Sequence, residues 1–322
     1  MGKLLQFIVF LFFTLAIIIL SCTQKPSEPL RIGTNVWPGY EPLYLARSLK
    51  YFDNTSVRLV EFPSSSEVLR AFRNNAIEGA ALTLDEVLLL VQSGMDPCLI
   101  LVMDISHGAD VIIGKPELAS LEDIKGKRVG VENSALGAYM LSRALEIVGL
   151  KINEIKIVPI ESSGHERAFK EGKIDAVVTF EPFRTRLLNA GAHKLFDSSR
   201  IPGEVVDVLV VRRDYIDKNP QEVRKLLKSW FHALNYMKEN SGDAAQRMTG
   251  RLRIKPDEII ASFQGLRLPD LNENRKLLGS LNPPLLKTAN HLAEVMKEQN
   301  LLFKKVEVKP IFNNRLIEDI QL

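Results

Sequence analysis

The residues best equipped for chemistry fall into short polar clusters, each set directly beside an apolar run. "FPSSSEV" stacks the hydroxyls of Ser64, Ser65 and Ser66 where one helix cap would suffice, which leaves at least one to face a ligand. "ALTLDEV" sets Thr83 and Asp85 at a helix start. "VMDISHGAD" gathers Asp104, Ser106, His107 and Asp110 around Gly108 between two apolar strands. "VGVENSALGAYM" places Glu132, Asn133 and Ser134 between a strand and a helix, and "VVTFEPF" ends a strand on Glu181, with Pro182 turning the chain. Polar loops on strand ends are the lining of a cleft. Carboxylates, hydroxyls and exposed backbone N–H groups there bind and orient small polar molecules.

"VWPGYEP" adds Trp37, Tyr40 and Glu41 on a Pro/Gly turn ahead of a helix. Two large aromatics on a turn fit a cleft wall, offering flat apolar faces with an N–H and an O–H handle. The competing reading of Trp37 is a staple packed under the first helix, and that of Glu41 a first-turn acid satisfied by the helix dipole.

Covalent and metal chemistry find no comparable constellation. The chain has 5 histidines and 2 cysteines, and no His/Cys set has metal-ligand spacing. There is no Gly-x-Ser-x-Gly elbow and no phosphate-binding Gly-rich loop. His107 reads as a loop or cleft hydrogen-bonder, His165 lies beside Glu166, and Cys98 in "PCLILVM" reads as a small buried hydrophobe. No catalytic residue, metal or cofactor is expected.

The elements that must position these clusters alternate. "LRIGTNV", "VRLVEF", "EGAALT", "CLILVMDI", "DVIIGK", "KRVGVE", "IKIVPI", "DAVVTF" and "VVDVLVVRR" are strands by run length and β-branched content. Helical patterns lie between most of them, so the fold class is α/β with largely parallel sheets. Ser64 with Glu67, Thr83 with Glu86, Ser120 with Glu122 and Asp123 nearby, and Ser163 with Glu166 read as helix-start caps. The C-terminal third changes character: "NPQEVRKLLKSWFHALNYMKE", entered through Asn219 as cap and Pro220, and "LLKTANHLAEVMKEQNLLF" are long helices with no strand expected between them.

At 322 residues, 46% hydrophobic and 25% charged, the chain has material for about two domains, and a net charge of +3 without a basic block argues against nucleic acid. Lys3 precedes the unbroken run "LLQFIVFLFFTLAIIIL", then Ser21, Cys22 and the polar "TQKPSEP", the layout of a secretory signal. "ILSC" resembles a bacterial lipoprotein signal, which implies lipid on Cys22 as the mature N-terminus. An uncleaved membrane anchor is the alternative. Either way the remainder faces out of the cytoplasm, and Cys98 is left without an intramolecular partner.

From Arg31 to about Arg213 the sequence resembles the periplasmic solute-binding proteins of ABC importers for nitrate, sulfonates, taurine and thiamine-precursor pyrimidines. "WPGYEPLYLARSLKYF" is similar to that family's first strand-to-helix turn, "FPSSSEVLRAFRNNAIEGAALT" to its next unit, "LEDIKGKRVGVE" to the entry of its second lobe, and "FKEGKIDAVVTFEPF" to the strand and turn that close it. The resemblance implies a type II periplasmic binding protein with a ligand cleft between two lobes that close like a hinge, and extra C-terminal helices on lobe one. It divides the chain into a signal at 1–21, a tether at 22–29, lobe one at 30–113 plus 206–322, and lobe two at 114–205. It also implies partners: a small-molecule ligand, an ABC permease with its ATPase, and the membrane through the lipid anchor, with the protein a monomer. Ligand contacts are expected from Trp37, Tyr40, Glu41, Ser65, Ser66, Thr83, Asp85, Asp104, Ser106, Glu132, Ser134 and Glu181.

The acids depart from what an anion binder needs. Asp85, Asp104, Glu132 and Glu181 together repel an anion in a desolvated cleft, so an amine-bearing or heteroaromatic solute fits better. If Asp85 and Glu132 instead turn away to cap helices, the anion reading returns. A thiamine-pyrimidine-synthase-like enzyme and a ligand-sensing lobe of a signalling system are the rival functions.

Overall fold

The computed structural model describes residues 2, 29–132, 135–313 and 315–322. The signal, Cys22, the tether up to residue 28, and Ser134 therefore lie outside the described residues. Among the described residues no helix is long and apolar enough to cross a membrane.

The strands are β1 (Leu30–Thr34), β2 (Val57–Glu61), β3 (Gly79–Thr83), β4 (Pro97–Ser106), β5 (Asp110–Gly114), β6 (Arg128–Val131), β7 (Lys156–Pro159), β8 (Ala176–Phe180), β9 (His193–Asp197), β10 (Val206–Arg212) and β11 (Leu266–Arg267). They form a 6-stranded sheet in the order β11-β4-β10-β3-β1-β2 and a 5-stranded sheet in the order β7-β6-β8-β5-β9. Apolar runs such as "AALT" and "CLILV" are buried throughout because helices cover both faces of the central strands.

Pairing is mixed, not largely parallel. β1 runs parallel to β2 and β3, and β6 to β7 and β8, as strand–helix–strand units require. β10 lies antiparallel to β3 and β4, and β5 antiparallel to β8 and β9. The cause is the route of the chain: a strand that leaves one sheet for the other returns running the opposite way. The passages fall at 107–109, between β4 and β5, and at 198–205, between β9 and β10. The first is earlier than expected. Ile113 belongs to β5, which pairs wholly within the second sheet, because the turn around Gly108, at φ 110°, already redirects the chain.

Past β10 the chain is almost entirely helical, with Pro220–Glu239, Ser241–Leu252, Pro256–Ser262, Leu271–Leu278 and Pro284–Glu298. The short β11 does intervene, pairing with the end of β4. Asn219 precedes Pro220 as expected, but its side-chain amide donates to Tyr215 O instead of capping the helix. Ser163 likewise caps nothing, since the helix begins at His165 and Glu166 pairs with Lys170 and Arg186. Fully buried Asn274 ties this layer to the first sheet. Its amide accepts from Val102 N at 2.8 Å and donates to Val102 O at 3.1 Å, satisfying β4 as a neighbouring strand would.

Candidate ligand-binding cleft

Register brings the first set of polar groups together. Asp207, in the middle of the apolar run of β10, stands opposite Thr83 of β3 on one side and Asp104 of β4 on the other. Two like charges directly across a ladder are destabilising unless neighbours or protons relieve them. Both aromatics of the Pro/Gly turn do so: Trp37 Nε1 donates to Asp104 Oδ2 at 3.0 Å, and Tyr40 OH donates to Asp207 Oδ1. Gly39 between them is required, because a Cβ there would overlap Asp104 Oδ2 and sit 2.5 Å from Trp37 Nε1.

The second sheet supplies the opposite wall. Trp37 meets Phe180, at the end of β8, edge to face with centroids 5.7 Å apart. Glu132, following β6, reaches the start of the helix Ser65–Arg73 in lobe one: its Oε1 accepts from Ser65 Oγ at 3.0 Å, Ser66 N at 3.0 Å and Ser66 Oγ at 3.1 Å. Ser65 Oγ also lies 2.7 Å from Glu86 Oε1, while Glu86 Oε2 accepts from Thr83 N at 3.1 Å. Between the sheets is a narrow cavity offering about 30 Å³ to the centres of water molecules, enough for roughly two waters.

Trp37, Tyr40, Ser65, Thr83 and Glu132 line that cavity, joined by Asn35, Glu86, Asp110, His165, Thr179, Phe180 and Asp207. Asp104 stands behind Trp37, and Ser66 holds Glu132 from the helix end. Asp85 is buried beside the cavity with its carboxyl toward the N–H groups of its own helix start. Three expected residues are elsewhere. Glu41 accepts from Arg251 Nε at 2.8 Å, because burial at the helix start demands a paired charge. Glu181 accepts from Arg184 and Thr185 N, capping the helix Phe183–Asn189. Ser106 sits at the first passage, 2.8 Å from Ser198 Oγ and accepting from Asp110 N. His107 is exposed on the same passage.

Asp207, Glu86, Asp110 and Phe180 line the cavity without being among the contacts expected from the sequence. Asp207 carried a signal: a lone acid inside "VVDVLVV" must be buried, and a buried acid needs a reason. Asp110 and Glu86 were visible only as a loop member and a cap partner.

The electrostatics are those of an acid-lined space. Burial pushes Glu86 and Asp104 up to about 8, Asp110 up to about 7 and Asp85 up to about 6, with neighbouring carboxyls adding to the rise for Glu86, Asp104 and Asp110. Asp207 is raised well above the usual range by burial and by Asp104. His165 is neutral: burial lowers it to about 4, and its ring nitrogens sit 3.1 Å from Thr179 Oγ1 and Ile160 O. Among the described residues no lysine or arginine lines the cavity. Asn35 Oδ1, Asp110 Oδ2 and Glu132 Oε2 are buried lining acceptors without a partner. Buried acceptors left unmade cost stability, so these oxygens are open to a hydrogen-bond donor. Among the described residues no acid, histidine or cysteine cluster could hold a metal ion.

Comparison with known proteins places this geometry in a lineage. A model described as the NMT1-like family matches residues 23–251. The chain is 24% identical over 271 residues to the taurine-binding periplasmic protein of Escherichia coli K12, covering 79% of this chain and 83% of that one. Among solved structures, the alkanesulfonate-binding protein SsuA from Xanthomonas axonopodis pv. citri, bound to MOPS, superposes with a TM-score of 0.74 at 19% identity, covering 88% of this chain and 98% of that one. The periplasmic aliphatic sulphonate binding protein SsuA from Escherichia coli gives 0.69 at 22% identity, covering 91% and 99%. The desulfurization enzyme DSZB shares the fold at a TM-score of 0.67 and 15% identity, covering 91% of this chain and 98% of that one.

Proposed function

The chain belongs to the NMT1-like family, and on that basis we propose that it is the solute-binding component of an ABC importer, capturing a small amine-bearing or heterocyclic solute between two lobes. Asp85 and Glu132 do turn to helix starts, so one other observation carries the choice of solute: among the described residues every unpaired buried side-chain atom lining the cavity is an oxygen, carboxyls surround them, and no lysine or arginine lines the cavity. Trp37 and Phe180 supply apolar faces, one from each lobe. The lobes divide at the passages 107–109 and 198–205, and closure about them is driven by a solute that contacts both sides. The solute is handed to a permease with its ATPase, and the protein works as a monomer held to the membrane through lipid on Cys22, outside the cytoplasm. The greasy N-terminal run ending in "ILSC" supports that placement.

Binding without bond chemistry is supported by the groups in reach. His165 is uncharged, with both ring nitrogens engaged, and Cys98 is buried in β4, away from the cavity. A thermal-shift screen of the full-length protein tests the reading. One panel holds amines, aminopyrimidines and small heterocycles, and the other nitrate, sulfate, taurine and alkanesulfonates. A donor-bearing solute at 100 times its Kd adds about 2.7 kcal/mol, a shift of several degrees. A response confined to the anion panel refutes the choice of solute, and turnover of a hit refutes simple binding.

A further inference from the structure

The helix Ser65–Arg73, of 9 residues, begins at the cleft, where helix-start N–H groups and the positive end of the helix dipole hold anions. Ser64 is occupied in capping, accepting from Glu67 N at 3.3 Å. Ser66 N and Ser66 Oγ donate to one atom, Glu132 Oε1, which comes from the other sheet, and Ser65 Oγ is shared between that atom at 3.0 Å and Glu86 Oε1 at 2.7 Å. The partner oxygen, Oε2, is buried in the cavity lining without a hydrogen-bond partner; burial raises the carboxyl, opposed by its bonds from Ser66, Ser65 and Ser162. Glu132 itself is only 3% exposed.

We propose that Glu132 is the cleft's built-in anion: its carboxylate fills the anion-binding end of the Ser65–Arg73 helix, latches the lobes together and thereby reserves the cleft for donor-bearing solutes. The inference rests on the solute-binding reading above and deepens it to a specificity-determining residue. An anionic solute has to displace a tethered carboxylate from that helix end and then meets Glu86, 2.7 Å from Ser65 Oγ. A donor finds Oε2 open. The latch and the selectivity are one contact, so a single substitution alters both.

The test compares full-length wild type with Glu132→Ala, Glu132→Gln and the double variant Ser65→Ala/Ser66→Ala. Trp37 and Trp230 are the chain's 2 tryptophans. Trp230 is fully buried in the C-terminal helical layer, so acrylamide quenching reports on Trp37, which is shielded by Phe180 across the cleft. The expected result is weak quenching and no thermal response to ethanesulfonate in wild type. Glu132→Ala should at least double the quenching constant and gain a thermal response of several degrees to ethanesulfonate. Glu132→Gln should gain less, and the double serine variant should open equally without gaining the anion, because it keeps the acid and loses donors. If Glu132→Ala quenches like wild type and ignores ethanesulfonate while wild type responds to 4-aminopyrimidine, the latch is overturned and the solute reading stands. If 4-aminopyrimidine does nothing in wild type but Glu132→Ala gains ethanesulfonate, the latch stands and the solute class falls. A wild type that binds ethanesulfonate more strongly than Glu132→Ala overturns both. Should Glu132→Ala not fold, unchanged quenching in the double serine variant overturns the latch.

Discussion

Asp104 and Asp207 face each other across β4 and β10 with two aromatic donors and no cation, so their charges are relieved by Trp37, Tyr40 and protons. These groups set a pH dependence. Asp104 and Glu86 rise to about 8 and Asp110 to about 7 in the folded chain, against about 4 when unfolded. The folded state then binds more protons than the unfolded state between those values. Its stability is fully present below about pH 4 for these groups and is lost as pH rises through 7 to 8. The unliganded protein should therefore melt at lower temperature at pH 8.5 than at pH 6, and a cationic solute should bind more tightly at pH 8.5 by replacing the protons. A melting temperature that rises over that interval contradicts the assignment. Gly39 gives a second prediction. Alanine there collides with the Asp104 carboxyl, so Gly39→Ala should cost about 1–3 kcal/mol in denaturant unfolding and abolish solute response.

At the level of elements, neighbouring serines on one helix start do different work. Ser64 caps its own helix, so Ser64→Ala should cost about 1 kcal/mol of stability and leave Trp37 quenching unchanged. Ser65 and Ser66 bond Glu132 from the other sheet instead, so under the latch proposal their loss should be read in closure. The C-terminal helices depend on Asn274, whose amide completes the hydrogen bonding of Val102 on β4. Asn274→Ala leaves two buried backbone groups unpaired. It should lower the unfolding free energy by about 3 kcal/mol.

The molecule as a whole is two sheets joined by two passages, pinned where Ser106 and Ser198 meet and turned at Gly108 and Gly203, both at positive φ. Trp37 with Phe180 and Glu132 with Ser65 and Ser66 are contacts between the two sheets, which the proposed hinge would break on opening. Solute bound to both sides should favour closure further, shrinking the radius of gyration in X-ray scattering. Trp37→Ala removes one wall and the Asp104 partner, and should weaken solute binding at least tenfold, about 1.4 kcal/mol. Unchanged affinity in that variant places the solute elsewhere.

Strand and helix alternation, the start of the helix at Ser65, and the gathering of polar loops beside apolar strands were all legible in the chain alone, because hydrophobic period, cap chemistry and strand length are local properties. Family kinship was legible too, carried by motifs in order. What only the tertiary structure decided is which acid faces which partner. Glu41 and Glu181 found arginines nearby and left the cleft, while Asp207 and Asp110 entered it. Glu132 crossed to a helix more than sixty residues away. Sheet order, the antiparallel return of β10 and the early first passage set those meetings, and register between distant strands depends on the whole core and not on any stretch of sequence.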